Sequence, residues 1–171
     1  MKSFYRTLLL AGGAALLAAG CASGPQYKDV ASSIPTLSPD DGRIYFFRSD
    51  SFAGAMLQPE IKLNDKVVGH SKAGGFFYVD EPAGSYTVAT STEVTKTITF
   101  ELKAGETKYV RTAVSMGVLV GHITPTIDYP ENAQLEIQTL KYIGDAAPAV
   151  AAGTQTSATT ATSTSTSTGK M

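Results

Sequence analysis

With 171 residues, 43% of them hydrophobic and 17% charged, the chain has the length and apolar content of one domain built around a hydrophobic core. A formal net charge of −1 is not the balance of a nucleic-acid-binding protein. A single cysteine, Cys21, excludes a disulfide framework, so stability must come from the core alone.

Residues 1–20 have the three parts of a secretory signal: Lys2 and Arg6 ahead of the core, an apolar stretch from Leu8 to Ala19, and the small residue Gly20 before Cys21. About a dozen apolar residues are too few to span a hydrocarbon core that needs roughly 20, so the segment reads as a cleaved signal. Leu16-Leu17-Ala18-Ala19-Gly20-Cys21 resembles a bacterial lipoprotein signal, with Ala18 where Leu is commonest. The resemblance implies cleavage between Gly20 and Cys21, and a covalent lipid on the Cys21 thiol as the only non-protein group, with no cofactor. Ala22 after the cysteine implies delivery to the outer membrane, its periplasmic or external face left open. Two or more acyl chains would hold the protein stably, each buried methylene contributing about 0.8 kcal/mol. Loss of Lys2 and Arg6 with the signal takes the formal charge from −1 to −3.

Residues 21–40 are mostly small, polar or proline, a composition that builds no core and reads as a lipidated, flexible tether with a reach of about 20–25 Å. Residues 41–145 form the domain, and their signal is period two. Gly42 to Arg48 sets Arg43, Tyr45 and Phe47 against Ile44, Phe46 and Arg48, so both faces are apolar and the strand is central. Glu60–Leu63 and Lys66–His70 flank Asn64-Asp65, which tolerate positive φ, as in a hairpin. Gly74-Gly75 precedes an aromatic strand, Phe76 to Glu81. Pro82-Ala83-Gly84 turns the chain into Tyr86–Thr90, then Thr95–Leu102 and Thr107–Ser115 pair across Ala104-Gly105. About seven short strands at this spacing predict an all-β fold, a single small antiparallel β-sandwich. Pro130 to Tyr142 closes it as a short C-terminal helix, with Asp128 as cap and Ala133, Ile137 and Leu140 on one face, although alternating Leu135 and Ile137 would also suit a strand. Residues 146–171, almost entirely Ala, Thr, Ser and Gly, cannot bury enough apolar surface to offset their ordering entropy and read as a disordered, solubilising tail.

Gly42-Arg43-Ile44-Tyr45-Phe46-Phe47-Arg48, Leu63-Asn64-Asp65-Lys66-Val67-Val68-Gly69, Gly74-Gly75-Phe76-Phe77-Tyr78-Val79 and Ala104-Gly105-Glu106-Thr107-Lys108-Tyr109-Val110 together resemble the domain of a bacterial lipoprotein family of unknown function. The Pro82-Ala83-Gly84-Ser85-Tyr86 turn also recurs in PEGA-type and carboxypeptidase-regulatory-like β-sandwiches. The resemblance implies a β-sandwich and transfers no catalytic residue.

Residues for chemistry are few. His70 and His122 lack partners at metal-ligand spacing, no serine stands in a Gly-x-Ser-x-Gly elbow, and no Gly-rich phosphate loop follows a strand. No catalytic or metal residue is therefore assigned, and the expected class is a non-enzymatic binding or structural module. Two segments are apolar where loops are normally polar: 51–57, with Phe52, Met56 and Leu57, and 116–123, with Val118, Leu119 and Val120. Exposed together they would form a partner or membrane contact; folded inward they would close the core, or the second would continue as a strand. Arg48 and Arg111 sit within strands on apolar faces and need a carboxylate, a carbonyl or a ligand, Glu60 and Glu101 being the candidate carboxylates. Expected partners are the membrane, through the lipid, and an envelope protein; the alternative is peptidoglycan or another saccharide stacked on Tyr45, Tyr78 and Tyr109.

Overall fold

Two β-sheets face each other, and a helical layer covers the outer side of one of them. This computed structural model describes residues 21–116 and 121–144. The described elements in chain order are α1 (Tyr27–Val30), a 3-10 turn (Ala31–Ser33), β1 (Asp41–Phe47), β2 (Glu60–Leu63), β3 (Lys66–His70), β4 (Gly75–Pro82), β5 (Gly84–Ser91), β6 (Thr95–Leu102), β7 (Thr107–Ser115), β8 (His122–Ile127), α2 (Pro130–Ile137) and β9 (Lys141–Tyr142). One sheet has the order β8-β7-β1-β4-β9 and the other β3-β2-β5-β6.

β1 is central because it is covered twice, as its alternation predicts. Ile44 and Phe46 point to the second sheet, and Phe46 stacks on its cross-strand neighbour Phe77 at 5.0 Å. Tyr45 and Phe47 point outward, beneath a cover that includes Val30, Ala133, Ile137, Leu140 and Tyr142. Phe76 is gripped there by Tyr27 at 5.6 Å and by the edge of Tyr142 at 5.5 Å. Each fully buried Phe, Ile, Leu or Val side chain contributes about 1.5–3 kcal/mol relative to an exposed one, so this doubly covered strand carries much of the stability.

The turns follow their residues. Asn64 and Asp65 have φ of 46° and 67°, the twist a two-residue hairpin requires, and the Asn64 amide oxygen accepts from Thr87 N at 2.8 Å. In the Pro82–Tyr86 turn, Tyr86 OH donates to Pro82 O at 2.8 Å. Pro125 lies in β8, an outer strand, where its missing N–H costs no ladder bond.

Four expectations change. There are nine strands among the described residues rather than about seven, because β8 arises from the end of the apolar 116–123 segment and β9 from the end of the predicted helix. The sandwich is not purely antiparallel: β1 pairs with β7, and β4 with β9, in parallel. α2 stops at Ile137, buries Ala133 and Ile137 as its pattern requires, and has Tyr129 rather than Asp128 at the cap position. The stretch read as a flexible tether is instead docked. Val30 is fully buried, Ala22 N donates to Ala73 O at 2.9 Å, Tyr27 N to Leu140 O at 3.1 Å, and Tyr142 N to Pro25 O at 2.8 Å. Enough of its backbone groups pair with the domain to offset the ordering cost of a short segment. The signal at 1–20 and the tail at 146–171 lie outside the described residues.

Candidate functional site

Arg48 follows β1 directly, at the end of the sandwich where β4 begins. It is 3% exposed, and its guanidinium donates to Leu57 O at 2.6 Å, Gly54 O at 2.7 Å and Ser71 O at 3.4 Å. Neither Glu60 nor Glu101 is its partner; three carbonyls satisfy it, and burial pulls its pKa down. The fork organises the 49–59 loop. Ala55 N donates to Phe52 O and Leu57 N to Gly54 O, forming two tight turns, and Gly54 at φ 69° packs so closely on Val114 that a Cβ would clash. With its carbonyls drawn inward to Arg48 and Ala55 buried, the loop turns its large side chains out. Phe52 is 94% exposed and Met56 81%.

The second apolar segment meets the first. β7 runs parallel to β1 and continues four residues past the Phe47–Arg111 pairing, to Ser115. Met116, at its tip, is 96% exposed. Leu57, half-buried, lies against Gly121, and Gly54 against Val114, so the 49–59 loop is braced along the β7–β8 hairpin. Ile123 turns inward and is buried, closing the core as one reading of this segment required. Val118, Leu119 and Val120 lie outside the described residues.

Cys21 is at the same end. It is exposed and bridges in parallel to Ala73, two residues before β4, beside Gly74, whose N–H reaches Arg48 O at 3.2 Å. β7 and β4 flank β1, so Cys21, on the β4 side, and the end of β7 are two to three strand positions apart in the sheet, at about 4.8 Å each.

The other candidates are internal ties. Arg111 meets Asp128 and Glu136, each at 2.6 Å, donates to Ser49 Oγ at 2.8 Å and lies 4.7 Å from the Phe47 ring centre, which pins α2 to the sheet. Burial opposes its charge, but hydrogen bonds to both carboxylates outweigh this and raise its pKa. Arg43, on the face of β1 beneath the helical layer, forms a two-pronged pair with Asp80 at 2.6 and 2.7 Å and donates to Pro35 O at 2.8 Å. The hydrogen bond to Asp80 raises its pKa. Sequence reasoning passed over Arg43, although a charged residue on a doubly covered strand signals such a pair.

Tyr45 and Tyr109 stack on each other at 5.4 Å and are buried, while Tyr78 lies over Arg43 at 4.6 Å. As a trio they offer no open platform for a sugar. Burial pushes the Tyr45 phenol up to about 12. His122 Nδ1 is 3.3 Å from Thr92 Oγ1, and its Nε2 is 3.9 Å from Glu93. Among the described residues no group of three His, Cys, Asp or Glu is placed to hold a metal, and no helix is long and apolar enough to cross a membrane. A surface hollow of about 460 Å³ lies along β2, β5 and β6, lined by Glu60, Lys62, Asp65, Thr90, Ser91 and Thr95.

Residues 38–123 match a family described as protein of unknown function, DUF2846. The chain belongs to the DUF2846 family. It is also similar to an uncharacterized protein of Haemophilus influenzae, 31% identical over 114 residues that cover 64% of this chain and 67% of that one. No solved structure matches. The DUF2846 match takes in β1 to β7 and the start of β8, and with them Arg43, Arg48, Arg111 and the 49–59 loop. Cys21, α1, α2 and β9 lie outside it.

Proposed function

We propose that this DUF2846 protein is a lipid-anchored component of the bacterial envelope, held at the outer membrane by acyl chains on Cys21, and that it acts as a binding or structural module rather than as an enzyme. The observation that carries the reading is the pairing of a signal-like segment with Cys21 at its end, an exposed cysteine. Two chains on one residue suffice for stable anchoring. The non-enzymatic part rests on what the side chains do. The buried arginines and the tyrosine stack are consumed by internal pairs, as expected of a structural core.

Cys21→Ser tests the anchor. In the native organism the wild-type protein should incorporate radiolabelled palmitate, while Cys21→Ser stays unlabelled and folded by circular dichroism. Equal labelling of the two proteins would refute lipidation at this residue.

A further inference from the structure

Three large apolar side chains at the Arg48 end face outward and are left out of the core. Phe52, Met56 and Met116 are each more than four-fifths exposed, the first two on a loop that packs against Val114 and Gly121 and the third just past the end of β7. Scattered exposed apolar residues such as Tyr129 and Leu135 need no explanation, but Phe52, Met56 and Met116 are the three most exposed among the large apolar residues described and share one end of the domain, as contact-forming residues do. We propose that this end of the sandwich is a membrane-contact face, with Phe52, Met56 and Met116 seated in the interface of the same bilayer that receives the acyl chains of Cys21. The inference rests on the lipid-anchor reading and deepens it: the domain stands end-on on the membrane instead of swinging above it.

Three observations choose a lipid surface as the occupant. First, Cys21 belongs to that end, tied to it through Ala73, and the segment that would have lifted the domain off the headgroups is docked by Val30, Tyr27 and Pro25. An acyl chain leaving Cys21 therefore brings the exposed apolar side chains to the headgroups without further chain. Second, the chemistry suits the interface. Phe and Met are apolar without being part of a spanning segment, and such faces sit about 5–10 Å into the headgroup and acyl boundary. Lys72 and Lys141 adjoin the Cys21 attachment, Lys72 preceding Ala73 and Lys141 N donating to Gly74 O, where they can meet lipid phosphates while Asp50 packs beside Gly74. Third, the charge is asymmetric. The opposite end gathers Asp40, Asp41, Glu81, Glu101 and Glu106 against Lys103 and Lys108, so an anionic lipid surface repels it. The near end, with Asp50, Glu60 and Glu93 against Lys72, Lys96 and Lys141, carries no such excess.

The chain contains no tryptophan, so a substituted one reports alone. Lipidated full-length Phe52→Trp, and separately Ala83→Trp in the β4–β5 turn at the opposite end, are reconstituted into phosphatidylethanolamine and phosphatidylglycerol vesicles, with and without acyl chains brominated near the headgroup. The indole of Phe52→Trp should emit to the blue of its detergent-free Cys21→Ser counterpart in buffer, be quenched by the brominated lipid and be shielded from iodide; that of Ala83→Trp should remain water-exposed and unquenched. Met116→Trp should repeat the result of Phe52→Trp. Flotation separates the two readings. A wild-type protein that fails to float with vesicles sinks the anchor, and with it this inference. Flotation with the indoles of Phe52→Trp and Ala83→Trp equally open to iodide leaves the anchor standing and overturns the contact face. Shielding of the Phe52→Trp indole only in native membranes, and not in pure lipid, also overturns it by making the occupant a protein.

Discussion

Replacing Arg48 by Met removes the guanidinium while keeping a long apolar stem in its channel, and it should uncouple the 49–59 loop from the sandwich. The magnitude follows from the three carbonyls. Hydrogen bonds from a charged donor contribute about 1.5–3 kcal/mol each, and the bonds to Leu57 O and Gly54 O, at 2.6 and 2.7 Å, are of that kind, whereas the 3.4 Å bond to Ser71 O adds little. Against this stands the desolvation of a cation only 3% exposed, which the substitution relieves and which lowers the Arg48 pKa in the native state. The Gly54 and Leu57 carbonyls can in part turn to water once the loop is released. The balance is a loss of about 2–4 kcal/mol, or roughly 10–20 °C in melting temperature for a domain of this size. Urea and thermal unfolding measure it, and amide exchange locates it: exchange at Ala55 and Leu57, whose N–H groups close the two loop turns, should accelerate before that of β1. Arg48→Lys should rescue only a fraction, because one ammonium on a flexible stem cannot hold two divergent carbonyls as a planar fork does. A loss below about 1 kcal/mol for Arg48→Met, or full rescue by Lys, would refute the assignment of the loop's order to this side chain.

Val30→Ala should destabilise the domain by about 1–3 kcal/mol in urea unfolding, because Val30 is fully buried under the outer face of the first sheet; an unchanged midpoint would restore the flexible tether. Tyr45 titrates at about 12 in the fold against 10 when unfolded, so its neutral form contributes stability that is complete below pH 10 and declines as the pH rises from 10 toward 12. Tyr45→Phe should flatten the fall in unfolding free energy across that window, and an unchanged slope would mean that Tyr45 does not carry it.

The local part of the fold was legible, and the non-local part was not. β1 announced its central place because both alternating sets, Arg43-Tyr45-Phe47 and Ile44-Phe46-Arg48, could not face water. The Asn64-Asp65 and Ala104-Gly105 turns carry their geometry in two residues, with φ of 67° at Asp65 and 75° at Gly105. Parallel pairing has no such signature: β1 and β7 are brought together by everything between them, and no turn residue records it. The arginine partners failed for the same reason. Glu60 and Glu101 were near to hand as carboxylates, yet Arg111 reaches Asp128 and Glu136, while Arg48 takes the carbonyls of Leu57 and Gly54, the other kind of partner its position allowed. The N-terminal segment misled because composition averages over it. A few contacts, at Ala22, Tyr27, Val30 and Pro25, are enough to dock a stretch whose other residues are soluble.

The arginines explain why a chain with no disulfide can hold so many irregular segments against two sheets. Each stands in or next to a strand of the first sheet and ties down one connection: Arg43 the N-terminal segment at Pro35, Arg48 the 49–59 loop, Arg111 the helix α2 through Glu136. Such a planar donor engages two or three partners at once, so a single residue fixes the path of a whole connection. The side chains most suggestive of ligand binding in the sequence are thereby spent on structure. What they leave outside is the apolar end that Arg48 itself creates: by drawing the loop's carbonyls inward, it turns Phe52 and Met56 toward the surface where Cys21 emerges. The loss of loop order in Arg48→Met should accordingly abolish the difference between the Phe52→Trp and Ala83→Trp indoles on vesicles while leaving flotation intact. Retention of that difference in a variant with accelerated exchange at Ala55 would show that the contact face does not depend on the fork.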